Sequence, residues 1–207
     1  MDLTEAEILE RGLESFAELG YQGASVRELA KRLGVSHNFI NDRFGSKENF
    51  WRAAVAHASA EPQRNLVSAF AVHAEAEADD IRTFEALVRV FYRGAVKNPV
   101  LNRIITAESA LDSPRLDYLH GEVMRPFLEG LEPLVQRLMD AGRMARIPMD
   151  TLFSALTGPA LVFTQDPLAA RLGRSTRLTD AEWEQAAQSL AELVLRGLLP
   201  GTPGPDA

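Results

Sequence analysis

Cysteine is absent from the 207-residue chain, which excludes disulfide scaffolds, thiolate metal sites, iron–sulfur clusters and cysteine nucleophiles together. Aromatic residues are sparse at 7%, while 14 Gly and 11 Pro stay near ordinary usage. Collagen-like and wholly disordered chains are therefore excluded. No apolar run approaches the roughly 18 residues that a membrane span needs. The opening MDLTEAEILER is acidic and lacks the basic, then apolar, layout of a secretory signal. A cytoplasmic protein with no membrane partner is expected. What is present is 46% hydrophobic and 25% charged residues, enough to bury a core in one or two domains.

The net charge of −7 argues, taken globally, against a nucleic-acid partner. Locally the sign reverses. Residues 20–52 carry Arg27, Lys31, Arg32, Arg43, Lys47 and Arg52 against Glu28, Asp42 and Glu48, whereas residues 1–19 carry six acids against Arg11 alone. DNA binding depends on the field at the contact face rather than on the total.

Sustained alternation is also missing, and nearly every segment repeats its apolar residues at helical spacing. Ile8, Leu9, Leu13, Phe16 and Ala17 form one stripe, and Gly20 is a stop signal. Ser25 with Glu28 reads as a capping box opening a short helix that buries Val26, Leu29 and Ala30 and ends at Gly34. Ser36 is expected to cap a third helix reaching Phe44, and Gly45-Ser46 separates it from a longer fourth. Three helices within about 45 residues is helix-turn-helix spacing.

Longer helices follow: one from Lys47 toward residues 74–80 with a bend or restart at Pro62, then 81–96, 101–111, 114–141 kinked or broken by Pro126 and Pro133, and 149–170 bent at Gly158-Pro159. Thr179 and Glu182 form a second capping box before a stripe from Trp183 to Leu198. The prediction is an all-α fold of about nine helices. It divides into a helix-turn-helix DNA-binding domain at 1–50, a ligand-binding and dimerisation domain at 51–199, and a disordered tail at 200–207.

Several pieces of residues 8–51 resemble the DNA-binding domain of the TetR family of transcriptional regulators. They are Phe16, Gly20-Tyr21, Ser25-Val26-Arg27, Leu29-Ala30, Gly34-Val35-Ser36, Phe44 and Ser46-Lys47-Glu48. The packing pattern agrees, since Val35, Ile40 and Phe44 would hold the third helix to the second and leave its other side chains for a major groove. The resemblance implies DNA contact from Arg27, Ser36, His37, Asn38, Phe39, Asn41 and Arg43, with Lys47 at the backbone phosphate. Arg27 or Arg43 suits guanine, Asn38 or Asn41 adenine, and Phe39 a thymine methyl. Two positions depart from the family: Phe39 stands where a small residue is usual, and Asn41 where a Tyr is usual. With Asp42 in the reading helix, an altered operator sequence is expected. Lys31 and Arg32 divide evenly between phosphate contact and a solvated face.

The resemblance further implies a homodimer on double-stranded operator DNA, released by a small-molecule effector in the helical body. Phe84, Phe91, Tyr92, Met124, Phe127 and Phe163 are the pocket candidates, with Arg89, Glu108 and Gln165 beside Tyr92 as polar handles. Phe153, Leu156, Trp183, Ala187, Leu190 and Val194 are the dimer candidates. Most of these apolar residues are equally at home in a core. His57, His73 and His120 have no ligand spacing, so neither metal nor cofactor is expected. The alternative is an all-α binding protein or enzyme without specific DNA binding. Its nearest carboxylate pair is Glu108 with Asp112, and no catalytic residue is assigned.

Overall fold

A computed structural model describes residues 3–75 and 79–199, and every regular element among them is helical. In chain order they are α1 (Glu5–Gly23), α2 (Val26–Leu33), α3 (Phe39–Phe44), α4 (Lys47–Glu75), α5 (Asp80–Val96), α6 (Pro99–Glu108), α7 (Pro114–Leu119), α8 (Arg125–Asp140), α9 (Met149–Phe163), α10 (Asp166–Arg171) and α11 (Asp180–Leu198). Eleven segments stand where about nine were expected because two long runs divide. The run from Pro114 is interrupted by a π-helical turn, His120–Met124. Pro126 has no N–H for the carbonyl of Glu122, and the wider turn absorbs that gap. The run from Met149 stops at Phe163 and restarts as α10 at Asp166-Pro167. Pro62 does not break α4, which continues through it. The acidic stretch at residues 76–78 and the tail at 200–207 lie outside the described residues.

Packing separates two units: residues up to Glu61 together with Val100–Glu122, and Pro62–Pro99 together with the chain from Val123 onward. The expected division near residue 50 is linear. The observed one assigns α6 and α7 to the N-terminal unit, for a reason given by the residues they cover below.

The first unit is built on α1. Thr4 and Glu7 close a capping box at its start, a T-x-x-E signal as legible as the other two. Gly20 takes φ 69° and breaks the regular helix, as its sequence position suggests, although the chain keeps turning to Gly23. Ile8, Leu9, Leu13 and Phe16 are buried against Leu29, Ala30 and Leu33 of α2, Ile40 of α3, and Phe50, Trp51, Ala54 and Val55 of α4. Burial of each large side chain stabilises by roughly 1.5–3 kcal/mol. The ring centroids of Phe16 and Phe50 are 5.8 Å apart, and those of Phe44 and Phe50 are 4.8 Å apart.

In the second unit α5 is central. Phe84, Leu87, Val88, Tyr92 and Val96 repeat at three- and four-residue steps and are buried with Leu131, Leu134 and Leu138 of α8 and Leu152 and Leu156 of α9. The small side chains of Ala187 and Ala191 admit α11 to the same core. Ion pairs close the rim: Arg93 with Glu184 at 2.6 Å, Arg137 with Asp80 at 2.8 Å, and Arg143 with Asp79 at 2.5 Å.

Two outcomes follow from this packing. A Cβ added at Gly12 would stand 2.3 Å from Cζ of the enclosed Phe50 ring. Alanine at an open helical position gains about 1 kcal/mol over glycine. Gly12→Ala should nevertheless lower stability by about 1–3 kcal/mol in urea denaturation, and unchanged stability would contradict this packing. Burial also raises the Tyr92 hydroxyl above the ordinary tyrosine value of 10.0. The unfolded chain releases that proton near pH 10 and the folded chain does not. The contribution is therefore complete below about pH 10 and is lost as pH rises beyond it. Tyr92→Phe should be less stable near neutrality and lose less stability in alkali than the native chain, as measured by denaturation at paired pH values. Equal alkaline losses would refute the assignment.

Candidate nucleic-acid interface

The turn between α2 and α3 is set by one glycine. Gly34 adopts φ 68°, ψ 29°, which an L side chain resists. Its N–H and that of Val35 return to carbonyls at the end of α2, Val35 to Ala30 at 3.0 Å. This is the Schellman arrangement that terminates a helix and redirects the chain. Ser25 caps α2 through the Glu28 N–H at 3.2 Å, but the return half of the expected capping box does not form. The Glu28 carboxylate is taken instead by Arg32 at 3.2 Å.

The third helix begins two residues later than expected. Ser36 does not cap it; residues 36–38 form a turn in which the Ser36 carbonyl accepts from the Phe39 N–H at 3.1 Å. Asn38 occupies the cap position without a side-chain hydrogen bond. Ile40 is fully buried and anchors the helix. Ser36, His37, Asn38, Asn41, Asp42 and Arg43 are all exposed. Phe39 is half-buried, its ring 6.4 Å from Phe44. Within α2, Arg27 and Lys31 are exposed and have no carboxylate partner among the described residues.

The other basic residues of this window are engaged. Arg32 meets Glu18 of α1 at 2.5 Å as well as Glu28. Arg43 is paired with Glu5 of α1. Arg52 meets Glu48 at 2.5 Å, one turn away. Lys47 donates from Nζ to the Tyr21 carbonyl at 2.9 Å and stands 4.1 Å from the centroid of the Tyr21 ring. Partial burial, with Arg115 nearby, lowers its pKa below the ordinary lysine value.

Arg115 of α7 also stands 4.1 Å from the Tyr21 ring centroid. It is held by Glu108 at 3.0 Å, a pair in which both side chains are largely enclosed, and Ser113 donates a longer bond to the same carboxylate. The Tyr118 ring lies 5.8 Å from Trp51, and its hydroxyl donates to the Arg52 carbonyl at 3.2 Å. These contacts, missed in the linear reading, are why α6 and α7 belong with the N-terminal helices. Glu108 is consequently neither a polar handle of the body nor half of a carboxylate pair with Asp112.

The remaining candidates fall in the second unit and do not form one group. Phe84 and Tyr92 are fully enclosed, and the Tyr92 hydroxyl donates to the Leu156 carbonyl at 2.8 Å. Phe91 stacks on Phe127 at 5.1 Å, both half-buried, and Met124 is half-buried on the π-helical turn. Phe163 meets Trp183 edge-on at 6.1 Å, with Arg174 over its face at 3.9 Å. Arg89 faces Glu192 at 3.9 Å, and Gln165 donates to Leu161 at 2.8 Å. Among the dimer candidates, Leu156 and Ala187 point into their own core, because the apolar face of α11 is covered by α5. Phe153, Trp183, Leu190 and Val194 are half-buried. The exposed large apolar residues of α9 and α11 are Val162 and Leu193, at 57% and 70%. No group of three metal-ligating side chains occurs among the described residues. No helix among them is long and apolar enough to cross a membrane.

The buried pair predicts a stability effect. Arg115→Ala leaves the Glu108 carboxylate enclosed and unpaired, and should cost about 3 kcal/mol in thermal or urea unfolding. The double variant Glu108→Leu/Arg115→Leu should recover part of that loss, whereas additive losses would contradict the pairing.

Residues 8–54 match the family model for bacterial regulatory proteins of the tetR family. Over 47 residues the chain is 49% identical to the transcriptional repressor AcnR of Corynebacterium glutamicum, covering 23% of this chain and 25% of that protein. It is 36% identical over 50 residues to the regulator YezE of Bacillus subtilis, covering 24% and 26%. The chain thus spans about a quarter of the length of the curated relatives it matches. Over its whole length it shares the fold of the TetR-family regulator PfmR of Thermus thermophilus, with TM-score 0.64, 23% identity, and coverage of 96% of this chain and 100% of that one. Its N-terminal segment thus matches the tetR family of bacterial regulatory proteins, and the chain as a whole shares the fold of that solved structure.

Proposed function

We propose that the protein is a transcriptional repressor, acting as a homodimer on a near-palindromic double-stranded operator and released by a small hydrophobic or amphipathic effector. The observation that carries this reading is the exposed row on α3. His37 and Asn38 on the turn before α3, and Asn41 on the helix itself, have side chains without hydrogen-bond partners among the described residues, and the placement of that helix is fixed by Gly34 and Ile40. Such donors and acceptors are what base edges in a major groove require. Arg27 supplies an uncompensated cation nearby in sequence, at the start of α2. The family-model match at residues 8–54 covers this same segment.

A two-fold dimer would present two α3 helices about 34–36 Å apart, one turn of B-DNA, or a multiple of it. Val162 and Leu193, with half-buried Trp183, Leu190 and Val194, offer apolar surface for such an interface. Phe91, Met124, Phe127 and Phe163 are the body residues best suited to an apolar effector, being only partly enclosed. By linkage, the effector and the operator weaken each other's binding by the same factor.

The test is a mobility-shift assay on duplexes from DNA upstream of the protein's own coding sequence, at two salt concentrations with nonspecific competitor. Alanine at Arg27 should weaken binding about tenfold and flatten the dependence of log affinity on log salt by about one. Alanine at Lys47 should weaken it as well. Unchanged affinity in both variants at fixed salt would overturn the assignment of this face.

A further inference from the structure

The basic window owes its charge state to α1. Two arginines, Arg32 on α2 and Arg43 on α3, are each held by a carboxylate from that helix, 14 and 38 residues away in sequence. These are tertiary pairings, unlike the one-turn pair of Arg52 with Glu48. Glu18 and Glu5 lie toward opposite ends of α1, and both are exposed at 55%, as is Arg43 at 58%. Both pairs are therefore open to exchange with another anion. Among the described residues Arg27, Lys31 and Lys47 of the window have no carboxylate partner, Lys47 being held instead by the Tyr21 carbonyl and ring.

Resting on the DNA-binding reading, we propose that Glu5 and Glu18 are intramolecular competitors for DNA phosphates, which hold down nonspecific affinity and so sharpen sequence selection. A phosphate approaching Arg43 must displace the Glu5 carboxylate. That carboxylate then stays within a Debye length, about 8 Å at physiological salt, and repels the phosphate. Counterion release, the source of nonspecific affinity, is correspondingly smaller for an arginine already neutralised within the protein. A guanine edge is different, because two directed hydrogen bonds to Arg43 are available only at the correct base pair. The exchange is thus repaid at a cognate site and not along arbitrary sequence. Selectivity of this kind comes from an opposing term as much as from an attractive one.

The experiment uses the full chain and a labelled 24-base-pair duplex of random sequence, with binding followed by fluorescence anisotropy across a salt series. Glu5→Gln should raise affinity about threefold to tenfold and steepen the salt dependence by up to about one, and Glu18→Gln, which leaves Arg32 paired with Glu28, should raise it about threefold. Glu14→Gln removes the same charge from an exposed α1 residue with no ion-pair partner among the described residues. It should change affinity less than twofold. In an Arg43→Ala background the gain from Glu5→Gln should vanish. Thermal melts confirm that each variant is folded, since all the altered side chains are exposed. The proposal is overturned if Glu14→Gln matches the other two, if Glu5→Gln gains equally without Arg43, or if the native chain binds and neither variant differs from it. Failure of all these proteins to bind any duplex at low salt would remove the DNA-binding reading, and this proposal with it.

Discussion

The N-terminal unit depends on the environment of one aromatic ring. Tyr21 follows Gly20, where α1 loses its regular geometry, and its ring receives two cations, Lys47 at 4.1 Å and Arg115 at 4.1 Å. A cation over an aromatic face gains most when it is partly desolvated, and Lys47 meets that condition. Its Nζ also holds the Tyr21 carbonyl, so the start of α4 is fixed to the end of α1 by two different atoms of one residue. The edge of Trp51 completes the arrangement, with ring centroids 6.4 Å apart. Trp51 itself is fully buried, and its indole N–H has no hydrogen-bond acceptor among the described residues. Shape and ring contact place it.

Charge in this protein is organised by distance rather than by total. An acidic chain presents a basic window, yet most cations of that window are committed before any ligand arrives. Exposed pairs of this kind contribute little to stability, on the order of 0–1 kcal/mol, so their larger effect is on what else the arginines can do. The enclosed pair of Glu108 and Arg115 is the opposite case: it matters chiefly because neither charge tolerates the loss of the other.

Local signals were legible in the sequence, and distant pairings were not. Gly34 and Gly45, with Ile40 between them, placed the helix-turn-helix because each acts within a few residues. The Ser36 cap failed because Asn38 stands nearer the helix start and a turn intervenes, a matter of two residues that composition does not decide. Pro62 was expected to bend or restart its helix; α4 runs through it without a restart. The place of α6 and α7 rests on Arg115 reaching Tyr21, 94 positions earlier in the sequence, and no periodic pattern encodes that. An apolar stripe likewise does not say what covers it: Leu156 and Ala187 have the spacing of an interface and lie in a core. The exposed row of α3 was read correctly as a surface because Ile40 alone had to be inside.

The discontinuity of the N-terminal unit bears on how the chain can be recombined with others of its fold. A chimera joined at residue 50 transfers α1 to α3 but leaves behind Trp51, Arg115 and Tyr118, and with them the ring contacts and one of the two cations that Tyr21 is built around. The transplant would keep α3 and lose the frame that orients it. For grafting purposes the smallest self-consistent piece is two segments, residues up to Glu61 and Val100–Glu122, which a single crossover cannot deliver.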